Sequence, residues 1–122
     1  MGTSTSSLAS TLVLLVGSSE WIQPVTESLG STSNVTVKTV QTVVDALEFT
    51  RSNTVDCIVT DSELRETTGL ELVKQVRAQS QTLPIVFCTA RGDEQLASEV
   101  IGHGADDYIA FEESSSIEPE RV

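Results

Sequence analysis

Three short stretches hold the residue types that could do chemistry, and each directly follows an apolar run. Gly17-Ser18-Ser19 follows Leu12–Val16, Asp61 follows Val55–Thr60, and Thr89-Ala90-Arg91 follows Leu83–Cys88. If those runs are parallel strands of one open sheet, the three stretches meet outside the strands' carboxyl ends, where such sheets bind ligands. Asp61 is the only carboxylate that directly ends a buried run. Taken alone, it would serve equally well as a turn or helix-capping residue. Gly17-Ser18-Ser19 is rich in hydroxyls and precedes a candidate helix, so it could hold an anion. With two Cys and one His, the chain cannot build a zinc site of four Cys/His ligands. Cys57 and Cys88 lie inside apolar runs and read as buried thiols of a reducing compartment. His103 sits between Gly102 and Gly104, where a helix-end role fits better than a catalytic one.

The elements that must position these residues alternate along the chain. Residues 1–10 form a Ser/Thr-rich tail, and 11–122 form one domain. Leu12–Val16 is an uninterrupted apolar run, expected of a strand buried on both faces. A helix capped by Ser18 or Ser19 runs to about Leu29, with Trp21, Ile22, Val25 and Leu29 on one side and Gly30 as its stop. Val35–Val40 alternates and is β-branched, so it is a second strand, followed by a helix from about Gln41 to Ser52. Val55–Thr60 is the third strand, and a helix carrying Leu70, Leu72, Val73 and Val76 runs from Gly69 to about Gln79. Leu83–Cys88 is the fourth strand. Leu96, Ala97, Val100 and Ile101 give another helix, and Tyr108–Phe111 a short fifth strand. Alternation of this kind with short links implies a parallel sheet covered by helices on both faces.

Three motifs in order resemble the receiver domains of response regulators. Asp61-Ser-Glu-Leu-Arg-Glu-Thr-Thr-Gly69 resembles their phosphoacceptor loop, Leu83-Pro-Ile-Val-Phe-Cys-Thr89-Ala90 their fourth strand, and Gly104-Ala-Asp-Asp-Tyr108-Ile109 the entry to their fifth. The resemblance covers about residues 11–113 and implies a flavodoxin-like, doubly wound five-stranded sheet of order 2-1-3-4-5. It implies that Asp61 accepts a phosphoryl group from a histidine kinase, without the chain being an enzyme in the usual sense. Thr89 is then the hydroxyl that turns in to bond the phosphoryl group, and Tyr108 the aromatic whose rotamer follows it. The family holds Mg²⁺ through an acidic pair after strand one and pairs the phosphoryl group with a Lys after strand five. Here those positions are Gly17, Ser18 and Phe111. Asp61, the Glu63 backbone carbonyl and Glu20 remain as metal ligands, so Mg²⁺ binding is expected to be weak. Arg91 and Arg65 are the cations that could replace the Lys. The chain is thus an atypical receiver.

Charge bounds the partners. Eighteen acidic residues against seven basic ones give a net charge of −11, which repels nucleic-acid backbones and argues against direct nucleic-acid binding. Lys38 and Lys74 are the only lysines. An acidic, Lys-poor surface suits cytoplasm at molar salt, where the Debye length is about 3 Å, and points to a halophile. The plainer reading is an ordinary acidic domain. No apolar run approaches the roughly 18 residues of a membrane span, and no basic segment precedes the first apolar run, so the expected location is the cytoplasm. Only a single polar turn around Glu118-Pro119-Glu120 follows the fifth strand. That leaves a fifth helix truncated or missing, and the chain reads as the N-terminal part of a longer regulator or sensor kinase. The sheet face beside the first helix would then pair with a second copy as a homodimer. Three functions compete: a receiver phosphorylated on Asp61 that relays the signal through Thr89 and Tyr108, a phosphorylation-independent interaction module, and a flavodoxin-like cofactor binder. Flavin absorbance would mark the third. It leaves the Asp61, Thr89-Ala90 and Gly104–Tyr108 motifs without a role.

Overall fold

Short, β-branched and aliphatic runs separated by polar turns build strands β1 (Thr11–Val16), β2 (Val35–Val40), β3 (Cys57–Asp61), β4 (Ile85–Thr89) and β5 (Asp107–Ala110). Between them lie helices α1 (Val43–Ser52), α2 (Gly69–Gln79) and α3 (Glu94–Gly102). The computed structural model describes residues 11–17, 23–24, 27–28, 34–90, 92 and 94–110. The five strands form one parallel sheet of order β2-β1-β3-β4-β5, the flavodoxin-like arrangement expected from the alternation and the motifs. Most of the helix expected between Ser18 and Leu29 lies outside the described residues. Within it, Gln23, Pro24, Glu27 and Ser28 are helical. The expected truncation of a fifth helix also falls outside them.

Because successive strand residues face opposite sides, β1 contributes to two cores. Leu14 and Val16 join Ile58, Ile85 and Phe87 beneath helices α1, α2 and α3, whose Ala46, Leu72, Val73 and Val100 are fully buried. Val13 and Leu15 face the other side, with Val35, Val37 and Val59 around them. The central strands are therefore fixed on both faces, which holds their carboxyl ends in register.

Several boundaries differ from the sequence expectation, three of them through a polar side chain or Pro, while β1 starts one residue earlier, at Thr11, and β4 ends one later, at Thr89. Helix α1 starts at Val43, not Gln41, because the Thr42 hydroxyl accepts the Asp45 N–H at 3.0 Å and Thr42 itself is extended. Strand β3 starts at Cys57, not Val55, and runs one residue further, to Asp61. At its entrance the Asp56 carboxylate, instead of a backbone carbonyl, accepts the Leu12 N–H at 2.8 Å. Strand β4 starts at Ile85 because Pro84 has no N–H. Strand β5 starts at Asp107, one residue before Tyr108, and Phe111 lies outside the described residues.

One side-chain clasp ties α2 to the entrance of β5. Arg77 donates to the Gly104 carbonyl at 2.9 Å, the Ser80 carbonyl at 3.1 Å and the Asp106 carboxylate at 3.0 Å. The same Asp106 oxygen accepts the Ile85 N–H at 2.8 Å, and the Asp106 N–H returns to the Ile85 carbonyl at 2.8 Å. Asp106, in the Gly104–Tyr108 motif, thus aligns β5 with β4.

Candidate functional site

Asp61 closes β3 opposite Cys88 of β4 and is 3% exposed. Its side chain lies against the backbone just after β1. Gly17, whose N–H donates to the Val40 carbonyl at 2.9 Å, has φ +143°, a conformation L-residues rarely adopt. A Cβ at Gly17 would stand 2.6 Å from the Asp61 Cβ and 3.3 Å from its Oδ2. The absence of a side chain at Gly17 is therefore what gives Asp61 its room. The loop that follows folds back on itself: the Leu64 N–H donates to the Thr67 carbonyl at 3.0 Å and the Gly69 N–H to the Ser62 carbonyl at 2.9 Å. The Glu63 N–H approaches Asp61 Oδ1 at 3.5 Å, at the long limit of a hydrogen bond. Thr68 caps α2 by accepting the Glu71 N–H at 3.2 Å. Gly69 packs so closely on the end of β3 that a Cβ there would run into the Asp61 carbonyl oxygen.

On the other side of Asp61 the strand ends open into a cleft of about 350 Å³. Ser62, Glu63, Thr68, Phe87, Thr89 and Leu96 are among its lining, and Asp61 is not. Thr89 ends β4 and is 2% exposed. It accepts a hydrogen bond at 3.0 Å from the Ser62 hydroxyl. Tyr108, half-buried on the edge strand, stacks on Phe87 with ring centroids 5.9 Å apart and planes 8° from parallel. A Cβ at Gly92 would meet the Tyr108 hydroxyl, so the backbone beyond β4 closes on that ring. The structure therefore places Asp61 and Thr89 at the carboxyl ends of adjacent strands, with Tyr108 on the next strand opposite Phe87. A larger cavity, about 470 Å³, opens at the opposite end of the sheet around Val55, Asp56, Leu83 and Pro84. It lies at the amino ends of the strands, away from these residues.

Burial pushes the Cys88 thiol up to about 12, with the Asp61 charge adding to it and Asp107 and Cys57 after that. Cys57 is raised as well, by burial and then by Asp106 and Asp56. Both are free thiols; Cys88 is buried as expected, whereas Cys57, at the entrance of β3, is only half-buried.

The remaining sequence candidates separate. Arg65 is exposed and donates to the Gln41 side chain at 2.7 Å, bridging the loops after β2 and β3. Ser18, Glu20, Arg91 and Phe111 lie outside the described residues. Among the described residues no group of three or more His, Cys, Asp and Glu is arranged to hold a metal ion. Asp61 supplies a carboxylate and Glu63 a backbone carbonyl, while Gly17 supplies no ligand. Among the described residues, that donor set holds a single carboxylate, fewer than multi-carboxylate divalent sites use. His103 ends α3 through its N–H to the Glu99 carbonyl at 3.0 Å, as its glycine neighbours predicted. Sequence reasoning missed Ser62. Its signal is position alone: it is the hydroxyl directly after the strand-ending Asp61.

Residues 13–114 match the model of the response regulator receiver domain. The hybrid signal transduction histidine kinase D of Dictyostelium discoideum is 38% identical over 68 residues, covering 54% of this chain and 4% of that protein. The response regulator ArlR of Staphylococcus saprophyticus is 44% identical over 63 residues, covering 52% of this chain and 28% of that protein. The chain thus spans less than a third of either relative. The crystal structure of a two-component response regulator from Clostridium difficile superposes with a TM-score of 0.74 at 20% identity, over 91% of each chain. By its matched motifs, strand order and the grouping of Asp61, Thr89 and Tyr108, the chain belongs to the response regulator receiver domain family.

Proposed function

We propose that Asp61 accepts a phosphoryl group from a phosphohistidine of a histidine kinase. An Asp61 carboxylate oxygen forms the new P–O bond as the histidine N–P bond breaks. The phosphohistidine reacts with a proton on its other ring nitrogen, so the bonding pair returns to the ring and neutral imidazole leaves. Such transfer asks the protein mainly for positioning and charge neutralisation. The observation that carries the reading is the placement of the buried Asp61 at the end of a central strand, with Thr89 at the end of the next. Thr89 then donates to the new anion, and Tyr108 follows. Arg91, or Arg65 on leaving Gln41, neutralises charge in place of the Lys that the family carries at the position of Phe111. Mg²⁺ binds weakly, because Gly17 offers no carboxylate. Treatment with phosphoramidate followed by intact mass tests the reading: one phosphoryl mass is gained by the wild type and not by Asp61→Asn.

Gly17 favours a second reading, a receiver that acts as an interaction module without phosphorylation. Absence of the added mass over a range of donors would move the function to that reading. On either, the partners of the domain are a histidine kinase or an output domain. The −11 charge with only two lysines supports a halophilic, cytoplasmic setting. No helix among the described residues is long and apolar enough to cross a membrane.

A further inference from the structure

Two hydroxyls meet in the cleft beside Asp61. Ser62 Oγ donates to Thr89 Oγ1 at 3.0 Å, and Thr89 is 2% exposed. Both line the cleft that Asp61 does not reach, whereas the Asp61 side chain lies over Gly17. Strand geometry explains the separation. Thr89 shares a face with Ile85 and Phe87, and Asp61 shares the other face with Val59. The Thr89 hydroxyl is thereby held on the side of the sheet away from the carboxylate it must serve.

We infer that Ser62 is a positioning residue, a latch that holds the Thr89 hydroxyl in the cleft until an anion on Asp61 draws it across. This rests on the reading of Asp61 as phosphoacceptor. Removing the Ser62 hydroxyl takes one bond from the cleft-side rotamer of a buried hydroxyl and leaves the anion-side rotamer untouched. The net worth of one such bond corresponds to about two- to tenfold in population. Ser62→Ala therefore raises phosphoryl uptake, and Ser62→Thr, which keeps the hydroxyl, restores the wild-type rate.

The test has two readouts. The first is the Thr89 χ1 rotamer in the unphosphorylated protein, from three-bond couplings of its methyl carbon. It is a single rotamer in wild type and Ser62→Thr, and averaged in Ser62→Ala. The second is the rate of phosphoryl uptake from phosphoramidate, whose P–N bond breaks as the Asp61 P–O bond forms and ammonia leaves. Uptake is about two- to tenfold faster in Ser62→Ala. An unchanged Thr89 rotamer in Ser62→Ala overturns the latch, whatever uptake does. Averaging of the rotamer with uptake no faster overturns the coupling of the latch to the site. Averaging with no uptake in any variant supports the latch and overturns the phosphoacceptor reading instead.

Discussion

Replacing Gly17 by Asp puts an acid back where the family carries one, yet the structure predicts damage to the fold and no gain in metal binding. Two terms set the size. An L-residue held at the +143° φ of Gly17 costs about 1–3 kcal/mol. The new Cβ would stand 2.6 Å from the Asp61 Cβ, closer than real Cβ contacts allow, so β1 and β3 must part at their carboxyl ends. Overpacking of that kind costs about another 1–3 kcal/mol. The sum, about 2–6 kcal/mol, is a large share of the roughly 6–18 kcal/mol expected for a domain this size. With a urea slope of about 2 kcal/mol/M, the unfolding midpoint falls by about 1–3 M. Gly17→Ala separates the two effects, since it carries the steric load without charge and falls nearly as far. Gly17→Asp falls further at low salt, because the second carboxylate faces Asp61. Urea melts of the three proteins, paired with a Mg²⁺ titration read at the Asp61 amide, make the check. A Gly17→Asp protein as stable as wild type that also binds Mg²⁺ more tightly would refute the steric argument.

Three further outcomes follow from neighbouring residues. A Mg²⁺ titration of the wild type in low salt gives a Kd weaker than about 1 mM, since even calcium sites of extracellular modules, with more carboxylates, bind only at about 0.1–1 mM; a tighter value overturns the ligand count. Asp106→Ala strips the acceptor from the buried Ile85 N–H and costs about 1–3 kcal/mol by urea melt, while Asp106→Asn keeps an acceptor and loses less. The Arg77 pair adds little to either figure because the Asp106 side chain is 56% exposed. The Cys88 thiol, raised from 9.0 to about 12, makes the fold lose stability with rising pH. The folded state keeps a proton that the unfolded state releases. The contribution is therefore intact below pH 9 and is lost between about 9 and 12, and Cys88→Ala flattens that slope in urea midpoints measured across the range.

Strand order and the grouping of Asp61, Thr89 and Tyr108 were legible because both are written in local pattern. Leu12–Val16 could only be a strand covered on both faces, and each candidate ended such a run. What escaped notice depends on side chains that act across strands. The Asp56 carboxylate takes the place of a backbone carbonyl beside Leu12, so β3 starts later than its apolar run. The Arg77–Asp106 clasp joins residues 29 apart in sequence, and no spacing rule announces it. Gly17 read as a missing ligand, whereas its φ and its contact with Asp61 show it to be part of the packing. Arg65 read as a free cation and is engaged by Gln41. Ser62 carried no signal beyond its position, because a Ser after a strand is an ordinary turn residue until the Thr89 hydroxyl is placed beside it.

The energies of the latch and of the ring stack set what could drive the switch. The neutral Ser62–Thr89 bond is worth about 0.5–1.5 kcal/mol net, and a bond from Thr89 to a phosphoryl anion about 1.5–3. Exchanging one for the other therefore favours inward rotation by roughly 1 kcal/mol, about a fivefold shift. Tyr108 adds a cost of about 0.5–1.5 kcal/mol if it leaves its stack on Phe87, a ring that is 1% exposed and does not move with it. If Asp61 is the phosphoacceptor, the two terms nearly cancel, and phosphoryl charge alone is expected to move Thr89 and Tyr108 only part of the way. A partner that buries the half-exposed Tyr108 ring in its new position supplies the remainder through apolar burial. Coupling is reciprocal, so such a partner also favours the anion on Asp61. The expected signature is phosphoryl uptake that rises in the presence of the output partner and does so less in Tyr108→Ala. Equal enhancement in that variant would place the coupling elsewhere than the Phe87–Tyr108 stack.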